Sequence, residues 1–125
     1  MAQIGYVCVG TNDFDKATAF YDALLGEIGG ERMFPTPAGL IYGIGKGAMF
    51  MVTRPHDTKP ATFGNGAMVA LAVDSLEDVA KLHAKALALG GTCEGPPGPR
   101  GAFGEFAYFR DLDGNKLAAF HSPRG

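Results

Sequence analysis

A chain of 125 residues with 46% hydrophobic side chains holds enough apolar mass for one cored domain and too little length for two conventional ones. Lys and Arg number 11 against 13 Asp and Glu, and a formal charge of −2 with no basic cluster along the chain excludes nucleic acid as the expected partner. The longest apolar runs are strand-sized and broken by glycine, far below the roughly 20 residues that span a bilayer, and the N-terminus lacks a basic segment leading into a long apolar one. The expectation is a cytoplasmic protein with no membrane segment. Its two cysteines, Cys8 and Cys93, are expected to be reduced thiols.

Taken in chain order, Ile4 to Val9 reads as a short apolar strand, expected to be buried on both faces or nearly so. Asn12, three residues before Asp15, suits a helix cap. Behind it Phe14, Ala17, Phe20, Tyr21, Leu24 and Leu25 recur at spacings of three or four, forming one apolar stripe. Gly26 and Gly29-Gly30 end that helix. Strands are then predicted over about 30–33, 40–44 and 48–53, with a hairpin turn at Gly45-Lys46-Gly47. Residues 55–64, with Pro55, Pro60 and Gly64, lack periodicity and read as a linker.

The pattern then repeats. Ala67 to Val73 is a second apolar strand, Ser75 is a cap three residues before Asp78, and Leu76, Val79, Leu82, Ala86 and Leu87 form a second stripe that stops at Gly90-Gly91. Three more strands are predicted at about 92–94, 105–110 and 116–121. Gly95 to Gly101, rich in Pro and Gly, reads as an exposed mobile loop, and Asp111 to Asn115 as a turn. The chain thus divides into half-repeats of about 1–54 and 65–125, each βαβββ, within a single α+β domain.

That order, together with Asp13-Phe14-Asp15-Lys16-Ala17 ahead of Phe20-Tyr21 and with Tyr108-Phe109-Arg110-Asp111-Leu112-Asp113-Gly114-Asn115-Lys116-Leu117, resembles the glyoxalase/bleomycin resistance protein/dioxygenase (vicinal oxygen chelate) superfamily. The resemblance runs nearly end to end. It implies two βαβββ repeats forming a cupped mixed sheet, usually in a homodimer. It also implies where a metal would sit in the metal-dependent members, since the ligand positions on four strands fall here on Tyr6, Met51, Met68 and Ala118. None is a ligand suited to a hard divalent ion, which needs imidazole or carboxylate. The expected cofactor set is therefore none.

Side-chain alternation along the strands places further residues on the same face. Cys8 joins Tyr6, Met49 joins Met51, Ala70 joins Met68, and Phe120 joins Ala118. Phe106, Tyr108 and Arg110 form the corresponding set on the neighbouring strand. These eleven side chains describe an apolar, aromatic and sulfur-rich cup, suited to a small hydrophobic or aromatic molecule held without metal. Two other readings share this pattern. One is a glyoxalase-like lyase or a dioxygenase using non-standard ligands or a metal-free acid/base pair such as Tyr6 and Tyr108. The other is an inert scaffold whose cup is filled by its own side chains.

The remaining reactive residues read as structural. His56 lies in the linker, His83 on the second helix and His121 on the strand face opposite Ala118. Cys8 is expected to be a small buried thiol, Arg100 a solvated loop charge, and Asp111 and Asp113 turn carboxylates bonded to their own backbone.

Overall fold

A computed structural model describes residues 1–123, so the last two residues of the second half-repeat lie outside the described part. The chain runs β1 (Tyr6–Gly10), α1 (Phe14–Gly26), β2 (Glu31–Pro35), β3 (Gly39–Gly43), β4 (Met49–Thr53), β5 (Val69–Ala72), α2 (Leu76–Ala88), β6 (Thr92–Pro99), β7 (Glu105–Arg110) and β8 (Lys116–His121). Local chemistry explains the helix ends. The carboxylate of Asp13, one residue later than the Asn12 expected from sequence, accepts from the Lys16 amide, and the Ser75 hydroxyl accepts from the Asp78 amide. Asn12 is diverted to the linker, where its side chain exchanges two hydrogen bonds with the Ala61 backbone at 2.6 and 3.1 Å.

The two halves share one topology. The first sheet has strand order β1-β4-β3-β2 and the second β5-β8-β7-β6, each opening with a parallel pair and continuing antiparallel. In β1, β3, β4, β5, β7 and β8 one parity of residues meets the helices, whereas the outer strands β2 and β6 add no residue to the core. Val9, Leu40, Tyr42, Phe50 and Val52 do so in the first sheet, and Leu71, Ala107, Phe109, Leu117 and Ala119 in the second, joined in one core with the stripe of α1 and with Val79, Leu82 and Ala86 of α2, while Leu76 and Leu87, expected in the second stripe, are exposed. The opposite parity faces away. Strands β1 and β5 are therefore buried on one face only, contrary to the two-sided burial expected from their apolar composition, because helices cover a single side of each sheet: Val9 and Leu71 are buried, while Tyr6, Cys8, Ala70 and Ala72 are exposed.

A second departure concerns residues 95–101. Gly95 to Pro99 belong to β6, which pairs with β7 from Thr92↔Arg110 to Pro99↔Glu105 with register shifts on either side of Gly95. An edge strand tolerates Pro96, Pro97 and Pro99 because its outer side needs no partner for a missing N–H. A single 3-10 turn, Gly101–Phe103, then reverses the chain. Gly104 follows with φ of 118° and its Cα so close to the next strand that a Cβ would lie 2.3 Å from the His121 carbonyl oxygen, so only glycine serves there.

The halves are locked by the turn between β7 and β8. Buried Asp111 accepts at Oδ1 from the Asp113 and Asn115 amides, both at 2.9 Å, as a turn carboxylate should. Its Oδ2 reaches across the molecule, accepting from the Tyr21 hydroxyl of α1 at 2.5 Å and from Asn115 Nδ2 at 2.9 Å. Asn115 Nδ2 also donates to the Gly10 carbonyl at the end of β1, and Asp113 accepts from the Asn12 amide, each at 2.9 Å. Burial, and then the adjacent Asp111 carboxylate, push the Tyr21 phenol well above its ordinary value.

Two outcomes are expected. Asp111→Ala leaves the Tyr21 hydroxyl and two amides unsatisfied, and should lower stability by about 3 kcal/mol, a drop of roughly 10 °C in the thermal midpoint followed by circular dichroism. Because the folded state holds the Tyr21 proton more tightly than the unfolded chain, the stability it supplies is complete below pH of about 10 and is lost as pH rises further. The thermal midpoint should fall steeply above that pH in the wild type and less steeply in Tyr21→Phe.

Candidate functional site

The face turned away from the helices carries the candidate site, and strand register sets its composition. On the first sheet Tyr6 lies beside Met49 and Cys8 beside Met51. On the second, Ala118 is flanked by Ala70 and Tyr108, Phe106 lies opposite Phe120, and Arg110 opposite Lys116. Met68 immediately precedes β5. Ten of the eleven residues named from sequence thus share the strand face opposite the helices, and Met68 lies at the entry to β5.

The two sheets furnish this side differently. On the first, Met33 lies over Gly43 and Phe34 pairs with Ile41, adding a thioether and a ring at the outer edge, 53% and 46% exposed. Sequence reasoning omitted both, because the irregular pairing between Arg32 and Phe34 breaks simple alternation. On the second, Phe120 stacks on Phe106 at 5.0 Å and 11°, and Phe106 on Tyr108 at 5.9 Å and 19°. The Lys116 ammonium group lies 5.1 Å from the centre of the Tyr108 ring and the Arg100 guanidinium 5.4 Å from it. Arg100 is accordingly no solvated loop charge. It is half-buried and donates to the Pro96 and Pro99 carbonyls, tying β6 over Tyr108.

Part of the face is filled and part is open. Ile41, Met51 and Ala118 are buried, whereas Tyr6 is 54% and Met68 44% exposed. Edge strands β1 and β5 approach without pairing, and a cleft of ≈ 430 Å³ opens along their seam. Met49, Met68, Ala70 and Ala72 line it, with Ile4 and Val7 from the β1 side, and Ile28 and Ile44 close one end. Adjoining it, past Met68, is a cavity of ≈ 310 Å³ walled by Phe63, Arg110 and Lys116. Both fall in the size range of small-molecule sites.

The residues do not fit a catalytic divalent ion. The four positions where a ligand would stand present a phenol, two thioethers and a methyl group, and among the described residues no three His, Cys, Asp or Glu side chains converge. The cysteine and histidine side chains are disposed as follows. Cys8 is exposed, not buried as expected, because its face of β1 carries no helix; partial desolvation pushes its thiol up, away from the thiolate form. His83 is buried on the helix side with Nε2 3.3 Å from Cys93 Sγ, and burial lowers its pKa. His121 contacts the Val73 carbonyl at 3.1 Å, also away from the open face. Among the described residues no helix is long and apolar enough to cross a membrane.

Comparison with known proteins agrees with this architecture. A family model described as Glyoxalase/Bleomycin resistance protein/Dioxygenase superfamily matches residues 3–119. The crystal structure of a glyoxalase/bleomycin resistance protein from Albidiferax ferrireducens T118 is 40% identical, covers 96% of this chain and 98% of its own, and superposes with a TM-score of 0.86. A glyoxalase/bleomycin resistance protein/dioxygenase family enzyme from Burkholderia phytofirmans PsJN is 21% identical over 97% of this chain and 99% of its own, with a TM-score of 0.80. The genomically encoded fosfomycin resistance protein of Listeria monocytogenes is 19% identical over 98% and 94%, with a TM-score of 0.72. At these lower identities the likeness is one of fold. No curated protein matches the chain.

Proposed function

The chain belongs to the glyoxalase/bleomycin resistance protein/dioxygenase superfamily, and from that premise we propose that it binds a small hydrophobic or aromatic molecule on the open face of its sheets without a metal ion. The observation that carries this reading is the juxtaposition of two features. The family's ligand positions hold Tyr6, Met51, Met68 and Ala118, and beside them lies an open cleft of ≈ 430 Å³ lined by thioethers and aliphatic groups. Methionine is polarizable and adaptable, so Met49 and Met68 can mould to a flat ring, and the Phe106, Tyr108 and Phe120 ladder extends an aromatic wall beyond them. Cys8 lies outside this cleft, on a neighbouring cavity that it shares with Met68, Phe63 and Lys116. The function is binding or sequestration, and no proton-transfer pair is invoked.

A second copy of the chain is the partner this reading supplies. Phe34 on edge strand β2 and Phe103 beside edge strand β6 are 46% and 76% exposed, and pairing of protomers would cover such rims. Sedimentation should give a mass twice the 13.1 kDa of one chain; a monomer at all concentrations would remove this part of the proposal.

The binding claim is tested by calorimetric unfolding of chelator-treated protein with a panel of planar aromatic compounds. A ligand at about ten times its Kd stabilises the native state by about 1.4 kcal/mol, or roughly 4–6 °C in the midpoint. At least one compound should reach that shift, equally with and without added Zn²⁺ or Ni²⁺. Stoichiometric retention of either metal after dialysis, or a shift that requires it, would count against the proposal.

A further inference from the structure

Met68 is shared between the apolar seam and the cavity walled by Phe63, Arg110 and Lys116, so a molecule lying along it passes from thioether and aliphatic surroundings to cationic ones. The cations there differ in what they can still accept. Arg110 is neutralised by Glu94, whose Oε1 lies 2.9 Å from the guanidinium, and it also donates to the Gly114 carbonyl. Arg100 spends two guanidinium nitrogens on the Pro96 and Pro99 carbonyls. Lys116 forms no ion pair among the described residues and lies against the Tyr108 ring. The carboxylates of this region are already engaged: Glu94 with Arg110, Asp113 with the Asn12 amide, and Asp111 with Tyr21 and Asn115. A half-buried lysine that walls a cavity adjoining the apolar cleft, with no anion of its own, is poised to receive one from a ligand.

Resting on the binding reading above, we propose that the ligand class is a planar aromatic anion, its ring in the seam against Met49 and Met68 and its carboxylate received by Lys116. The Tyr108 ring holds the ammonium group in place, and Phe63 and Met68 flank the cavity in which the resulting charge-assisted hydrogen bond would form. A neutral ring of the same shape gains only the apolar part of the site.

Isothermal titration with 2-naphthoate and 2-naphthamide separates the two contributions. Wild type should bind the acid about 10-fold more tightly than the amide, a difference expected for one charge-assisted hydrogen bond. Lys116→Met should abolish that preference, leaving amide affinity within about 2-fold, while Lys116→Arg keeps it. Equal binding of acid and amide by the wild type, or an undiminished preference in Lys116→Met, would overturn the anion site and leave the aromatic site standing. Failure of both compounds to bind would overturn both proposals. Circular dichroism melts of each variant establish that a lost preference comes from folded protein.

Discussion

The Asp111 carboxylate is the joint on which the rest of this molecule depends. Each βαβββ half buries one face of its sheet under one helix, and neither half alone gives β1 or β5 a neighbour on its open edge. Asp111 draws Tyr21 of the first half onto the turn of the second, and Asn115 donates to the end of β1. Those bonds hold the two unpaired edges side by side, with a cleft between them in place of a ladder. A buried carboxylate is tolerable only when its lone pairs are satisfied, and here one short turn provides three of the donors and the opposing helix the fourth.

Much of this architecture is legible in the sequence because it follows from periodicity. The stripe of α1, the centre of the α2 stripe, the glycines that end both helices and the bounds of β7 and β8 are local signals that the fold preserves, whereas Leu76 and Leu87 at the two ends of α2 are exposed. Where the reading failed, the cause is an interaction between distant segments or an edge that relaxes the usual rule. The run Gly95 to Pro99 carries every mark of a loop, yet becomes strand because only its inner side must bond. Tyr21 reads as one more apolar stripe residue, and nothing near it announces that its hydroxyl meets a carboxylate 90 positions away. Asn12 reads as a cap because the linker that claims its side chain is distant in sequence.

The site is partly legible for the same reason. Alternation groups Tyr6, Cys8, Met49, Met51, Ala70, Phe106, Tyr108, Arg110, Ala118 and Phe120 on one strand face, and the strand register keeps that grouping, since a period of two needs no tertiary information. Alternation does not tell which of them are accessible. Met51 and Ala118 are covered while Tyr6 and Met68 are open, and the exposure of Cys8 reflects the absence of a second helix layer. Nor does sequence reveal that Arg110 is neutralised and Lys116 is not, because Glu94 and Arg110 meet only when β6 pairs with β7.

The physical claim beneath the functional account is that thioethers, and no metal ion, meet the ligand on the open face. Its most direct test is the methyl NMR spectrum of the five methionines during titration with an aromatic compound and, separately, with Ni²⁺. The ring current should shift the Met49 and Met68 methyl signals and leave Met1 unmoved, and stoichiometric Ni²⁺ should broaden none of the signals from the open face. Unmoved Met49 and Met68 signals at saturating ligand, or selective broadening of Met51 and Met68 by the metal, would contradict the account.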